Sequence, residues 1–342
     1  AELNAQRRDL IAPRLLAQEA FARANGLISE FDAQSLQRQT DALTVRGPSP
    51  LNPTHLTGAV AALWGLVEVI GVEINAGFRV KLENGQLGRN LPRVLLLLIV
   101  GIGLLGVGRR LVTRWHAALA DRPSRWRPLT LFMLSLVQVV VPLLGLLALT
   151  EALQSLDIFG LRGNDVVDTI PLAGAFVVFG WWLSRHVFPA GNKPGYLGYD
   201  EGTRAAGRWT SSAIAWVLAF GALVGTGLRT MDMSQGAQAA FQWMLLVVLG
   251  LLFWRFGRVI ATKPQERDDI EVSTGRMRTL VGRAATVVAI AAPLIAAFGY
   301  TSAGIALLAP SILSVGLIGV LFLLQRIVHD MMQTPESEED YR

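Results

Sequence analysis

Residues 249–260 read LGLLFWRFGRVI, and the change of character within them decides the fold. Up to Trp254 the stretch closes an apolar run that begins near residue 239; Arg255 and Arg258 then follow. A helix of about 20 apolar residues covers the roughly 30 Å of a bilayer's hydrocarbon core. Arginines at its end reach the headgroups while their stems stay in apolar surroundings, and tryptophan favours the same level. Residues 239–257 are therefore expected to be a membrane span that ends at a lipid headgroup layer.

Two other stretches repeat this pattern. FGWWLSRHVF (179–188) and IGVLFLLQRIV (318–328) are also apolar runs that close on arginine. Gly180, Gly250 and Gly319 stand at equivalent points, with Arg185, Arg255 and Arg326 following them. The glycines are read as places where helices approach closely. Seven spans are expected, at about 91–108, 128–150, 170–188, 209–228, 239–257, 284–301 and 304–327. The last six group into three hairpins that go out, turn and come back. The fold class is all-α: a polytopic membrane protein whose successive hairpins form a paddle. Composition agrees, since 52% of the 342 residues are hydrophobic and 17% are charged, against roughly 25% charged in soluble domains.

The connections between spans set the orientation. The segment 109–127 holds six arginines, 185–208 four basic residues and 255–283 seven, seventeen in all. The alternate connections hold Arg162 and Arg229 only. Basic residues accumulate on the cytoplasmic side. The N-terminus is therefore expected outside the cytoplasm and the C-terminus inside, in a bacterial inner membrane. A net charge of +5 distributed at span ends serves topology and leaves no nucleic-acid partner to expect.

Four parts are expected along the chain: a helical periplasmic domain at 1–50, an elbow with an interfacial amphipathic helix at 51–90, the hairpins at 91–330 and an acidic tail at 331–342. Apolar residues recur at three- and four-residue steps through 1–45, reading as one or two helices with a turn at Asn25-Gly26. RGPSPLNP (46–53) then breaks the helix with Pro48, Pro50 and Pro53. Residues 55–78 are long enough to span but carry Glu68 and Glu73, each costing roughly 2 to 3 kcal/mol near a bilayer centre. A helix lying at the membrane surface is the preferred reading.

The span interiors are almost free of ionisable groups, whereas ion-coupled transporters and membrane enzymes place such groups there. Gln138 and Gln242 are read as bridges between helices. Four histidines at span ends and in loops, with no i,i+4 pair, and no cysteine leave no metal or cofactor to expect. No enzymatic activity is expected. GIGLLGVG (101–108) follows no strand, so small-residue packing explains it better than a nucleotide loop. Arg109, Arg110, Arg185, Arg255, Arg258 and Arg326, with Trp181, Trp182 and Trp254, are the candidate interfacial anchors. Pro142, Pro293 and Pro310 are candidate kinks. Helices anchored in this way respond to bilayer thickness and lateral pressure, and the partners to expect are membrane lipids.

The polar helical segment ending in LTVRGPSPLNPTHL (43–56), leading into many spans, resembles the periplasmic N-terminal and membrane region of large bacterial mechanosensitive channels. These belong to the small-conductance mechanosensitive family, in its potassium-dependent-like branch. The resemblance implies a homo-oligomer, a heptamer by family pattern, that responds to osmotic stress. SVGLIGVLFLLQRIVHDMM (314–332) is faintly similar to the family's pore helix, but Leu317, Ile318, Leu321, Phe322 and Leu323 stand where small residues are needed. No strand-rich vestibule sequence follows. The chain is accordingly expected to be the outer, tension-sensing part of a longer channel. A transporter or export-component membrane domain and a membrane anchor for a periplasmic interaction domain are the competing readings.

Overall fold

The computed structural model describes residues 2–84, 86–108, 127–191, 199–231, 233–262 and 272–332, and among them every regular element is helical. The chain divides into two compact units, residues 1–46 and 47–342. The first unit is one helix, α1 (Glu2–Thr44), about 64 Å long at 1.5 Å per residue. The turn expected at Asn25-Gly26 does not form. The Ser29 hydroxyl donates to the Gly26 carbonyl inside the continuing helix, and Arg23 pairs with Glu19 one turn before it. A single glycine lowers helix propensity by only about 1 kcal/mol, which 43 residues absorb.

The second unit begins at the elbow. The Gly47 N–H donates to the Gly299 carbonyl at 3.0 Å, the Ser49 hydroxyl donates to the Ala297 carbonyl at 3.3 Å, and Pro50 is fully buried. Helix α2 (Pro53–Glu83) starts with Asn52 as its cap and Pro53 in its first turn, a position where the missing N–H costs nothing. Helix α3 (Gln86–Gly103) runs on as a π-helical segment, Leu104–Gly108. Then follow α4 (Arg127–Leu156), α5 (Leu161–Val187), α6 (Glu201–Arg229), α7 (Gln235–Ala261), α8 (Val272–Ala297) and α9 (Thr301–Met332).

Among the described residues, seven helices are long and apolar enough to cross a membrane: α2 and α4 to α9. The expected span at 91–108 corresponds to a shorter apolar helix, Asn90–Gly106, which packs on α4. Gly101 and Gly145 face each other there: a side chain on either would meet the other's carbonyl oxygen at 3.0 Å. The 101–108 glycines are thus used in part for close helix packing.

The core of the hairpins lies between α6, α7, α8 and α9. On α8, Ala285, Ala289, Ala292 and Ala296 form a stripe of small residues packed with Leu246, Leu249 and Phe253 of α7 and Leu308 of α9. Between helices in lipid the attraction comes from close van der Waals fit, so small side chains favour association. Successive helices pair as expected, but α9 also packs against α4, α5 and α7. The third hairpin therefore closes back toward the first, instead of extending a row.

Candidate functional site

Cations and aromatic rings meet at the Arg-rich ends of the hairpins. The Arg185 guanidinium lies 4.3 Å from the Trp181 ring centre, and that of Arg258 lies 5.1 Å from Trp254. Both pairs are one turn apart on their own helix. Arg255 instead reaches 5.3 Å from Trp209 on the neighbouring α6, and Arg278 of α8 reaches 5.6 Å from Tyr199. Such contacts contribute about 0.5 to 1 kcal/mol when exposed and more when desolvated. A cleft of about 490 Å³ between α6 and α7 is lined by Asp200, Thr203, Trp254, Arg255 and Arg258.

The connection between α5 and α6 is held from the same end. Arg208 donates to the carbonyls of Phe188 and Pro189 at 3.2 and 3.0 Å, satisfying groups that a helix C-terminus leaves open. Its other nitrogen pairs with Glu201 at 2.8 Å. Asp200 caps α6 by accepting from the Thr203 N–H and hydroxyl, and these bonds lower its pKa below the ordinary 3.8. The Tyr199 hydroxyl donates to the Ile260 carbonyl at 2.8 Å. Burial raises its pKa above 10.0, with Arg278 pulling the other way.

Trp182 departs from its expected role. It is 1% exposed and packs among Phe132, Phe179 and His186, with its indole N–H toward the Ser135 hydroxyl at 3.4 Å. A ring enclosed between α4 and α5 is core, and it cannot anchor at a lipid surface. Arg109 and Arg110 lie outside the described residues, as does the side chain of Arg326.

Helices α4, α8 and α9 run through Pro142, Pro293 and Pro310 without interruption. Pro293 cannot donate to the carbonyl of Ala289, and that carbonyl faces Gly250 of α7. A side chain at Gly250 would lie 2.7 Å from the Ala289 oxygen and 2.9 Å from the Pro293 ring. The Pro293 carbonyl in turn accepts from the Trp243 indole at 3.2 Å. Gly180 makes a comparable approach to Ala215 of α6, so α5 and α7 each meet the following helix through a glycine. Gly319 is different. The nearest atoms a side chain there would find belong to Leu183 and Val187 of α5, no nearer than 3.6 Å.

The Arg-poor ends are crossed by one helix. The elbow before α2 sits on the 297–299 turn. A side chain at Gly58 would touch Ala237 at the start of α7, and Leu66 packs on Gly227 near the end of α6. Further along, Glu73 accepts from the Gly163 N–H of α5 at 3.0 Å, Gly77 packs against Ile158, and Lys81 pairs with Asp157 at 2.5 Å. Asn90 donates to the Ser155 carbonyl and Arg93 pairs with Glu151 at the start of α3. From residue 47 to residue 93, every one of these partners lies at or near an Arg-poor turn.

Glu73 performs a specific task there. Helices α2, α6 and α7 are capped by their own Asn52, Asp200 and Ser234. The capping position of α5 is Gly160, which has no side chain to offer. The Glu73 carboxylate comes across from α2 and takes the third N–H of α5, the bond a serine or threonine cap would make. It also brings negative charge to the positive end of the helix dipole. A side chain at Gly160 would lie 2.7 Å from that carboxylate, so glycine admits it. Sequence reading weighed Glu73 only as a cost of crossing lipid; the missing cap at Gly160 was the available signal.

Among the described residues, no three of His, Asp and Glu form a group that could hold a metal. A family described as a protein of unknown function, DUF3772, matches residues 14–66. The match runs from within α1, through the elbow, to Leu66 of α2. No curated protein and no solved structure matches the chain.

Proposed function

We propose that this chain is the membrane-tension-sensing module of a homo-oligomeric mechanosensitive channel, a heptamer on the family pattern, in the bacterial inner membrane. The Arg-rich ends face the cytoplasm, residues 1–90 lie on the periplasmic side, and the module carries no enzymatic activity. The reading is supported above all by the contacts of α2, both of whose ends meet Arg-poor turns. A helix that crosses a bilayer must put its ends on opposite faces. In this reading α2, about 46 Å long, lies in the outer interface. The arginine–tryptophan pairs hold the opposite ends at the inner headgroup layer.

Tension spreads and thins a bilayer, and helices anchored at both interfaces respond by tilting or sliding. The first hairpin, tied to α2 as to a strap at Glu73 and Lys81, converts such movement into displacement of α2 and the elbow. Span interiors nearly free of charge suit helices that work against lipid and conduct nothing themselves.

Electrophysiology on spheroplast patches tests the proposal. Residues 1–342 alone should give no stretch-activated current. Joined to a pore helix and cytoplasmic β-domain of the resembling family, they should set a pressure threshold that moves when Arg185 or Arg255 is replaced by leucine. Robust current from 1–342 alone would place a pore among these helices. A threshold unchanged by both substitutions would reduce the hairpins to a passive anchor.

A further inference from the structure

The geometry points to a binding site for one acyl chain of an anionic phospholipid, enclosed by α5 to α9 in the half of the hairpins nearest the Arg-rich ends. A cavity of about 250 Å³ lies there, walled by residues such as Phe179 and Leu183 of α5, Phe253 of α7 and Phe322 of α9. It is independent of the tension-sensing proposal. The loose fit of Gly319 marks it: a side chain at Gly316, one turn earlier, would find only Leu183, at 3.9 Å. The first two glycines of the repeat close helix crossings, while α9 leaves a gap against α5.

The chemistry of the walls selects the occupant. Among the described residues three hydroxyls reach the lining, and each is engaged: Ser184 donates to Trp181, Ser211 to Gly207 and Tyr199 to Ile260, each to a backbone carbonyl. A polar solute would find few partners, and water needs two to four. An apolar chain needs none. The surrounding solvent of these helices supplies such chains at high local concentration. Among the described residues, Arg278 is the charged side chain that lines the cavity, at the level where Tyr199 and Ile260 mark the end of α7. That is headgroup depth, where a cation contributes about 1 kcal/mol toward an anionic lipid, or roughly fivefold in preference. A phospholipid with its headgroup beside Arg278 and one tail along Gly316 satisfies both ends of the cavity.

The test is lipid retention by the full 342-residue chain. The protein is purified in detergent, washed extensively, reloaded with phosphatidylglycerol or phosphatidylcholine, and weighed by native mass spectrometry. One phosphatidylglycerol per chain should be retained. Gly316→Phe, whose first side-chain carbon would meet only the Leu183 side chain at 3.9 Å, should abolish retention, while Leu317→Phe on the exposed neighbouring position should not. Arg278→Gln should keep a lipid bound but lose the preference for phosphatidylglycerol over phosphatidylcholine by about fivefold. Circular dichroism and gel filtration confirm that each variant is folded. Equal retention by Gly316→Phe and wild type, retention of free fatty acid alone, or no retained lipid in the wild type would each overturn the site. An unchanged headgroup preference in Arg278→Gln would overturn the role of that residue.

Discussion

Glu68 and Glu73 stand five residues apart on α2 and meet different surroundings. Glu68 is exposed, whereas Glu73 is half-buried against the start of α5 with its carboxylate on the Gly163 N–H. A hydrogen bond to a charged group contributes about 1.5 to 3 kcal/mol. Glu73→Ala should therefore destabilise the folded chain by about 2 kcal/mol, and Glu68→Ala by less than about 0.5 kcal/mol. Thermal unfolding in detergent, followed by circular dichroism, separates the two. Equal losses would show that Glu73 does not cap α5. At this scale the sequence was legible where one residue type has one habit, as for Trp181 and Trp254 stacked beside arginines. Trp182, next to Trp181 but turned about 100° around the helix, has the same composition-level signature and is core. Only the placement of α4 tells the two apart.

A helix's hydrophobic content and length do not set its direction, and α2 shows this. It meets the length and composition of a span, yet the partners described for it at Gly58, Glu73, Gly77 and Lys81 lie on the Arg-poor side of the hairpins. Single cysteines at Leu51 and Glu83, both exposed, test this directly. Both should react with an impermeant thiol reagent added to intact spheroplasts, as should one at Gln235. Reaction at one α2 end and protection at the other would make α2 a crossing helix. The elbow and the order of the helices were legible because proline, glycine and charge act locally, whereas α5 (Leu161–Val187), α6 (Glu201–Arg229) and α8 (Val272–Ala297) begin well before the expected spans. The π-helical end of α3 was not legible, nor was the continuity of α1 through Asn25-Gly26; there the cost of a deviation is small and neighbours decide it.

Across the whole molecule, the glycine repeat becomes a rule of assembly: α5 meets α6 at Gly180, and α7 meets α8 at Gly250. The latter crossing depends on a backbone oxygen released by Pro293, so it tolerates no side chain. Gly250→Leu should cost about 3 kcal/mol or more, since overpacking against backbone cannot be relieved by a rotamer change. Gly225→Leu, on α6 with no atom within 4 Å of an added carbon, should be near neutral. Unfolding in a denaturing detergent series would measure both, and equal tolerance would remove Gly250 from the packing scheme. The repeat was legible as spacing, but its failure at Gly319 was not, because spacing does not report which neighbour a glycine finds.

The elbow's seat on the 297–299 turn also bears on how the protein is made. Ser49 and Ala297 are 248 residues apart in sequence. At roughly 5 to 20 residues per second, a ribosome needs about 12 to 50 seconds between synthesising one and the other. During that interval the start of the strap has no turn to rest on, while α4 to α7 can already enter the membrane as pairs. Closure of the elbow is thus a late event in biogenesis, made only when the last hairpin has arrived.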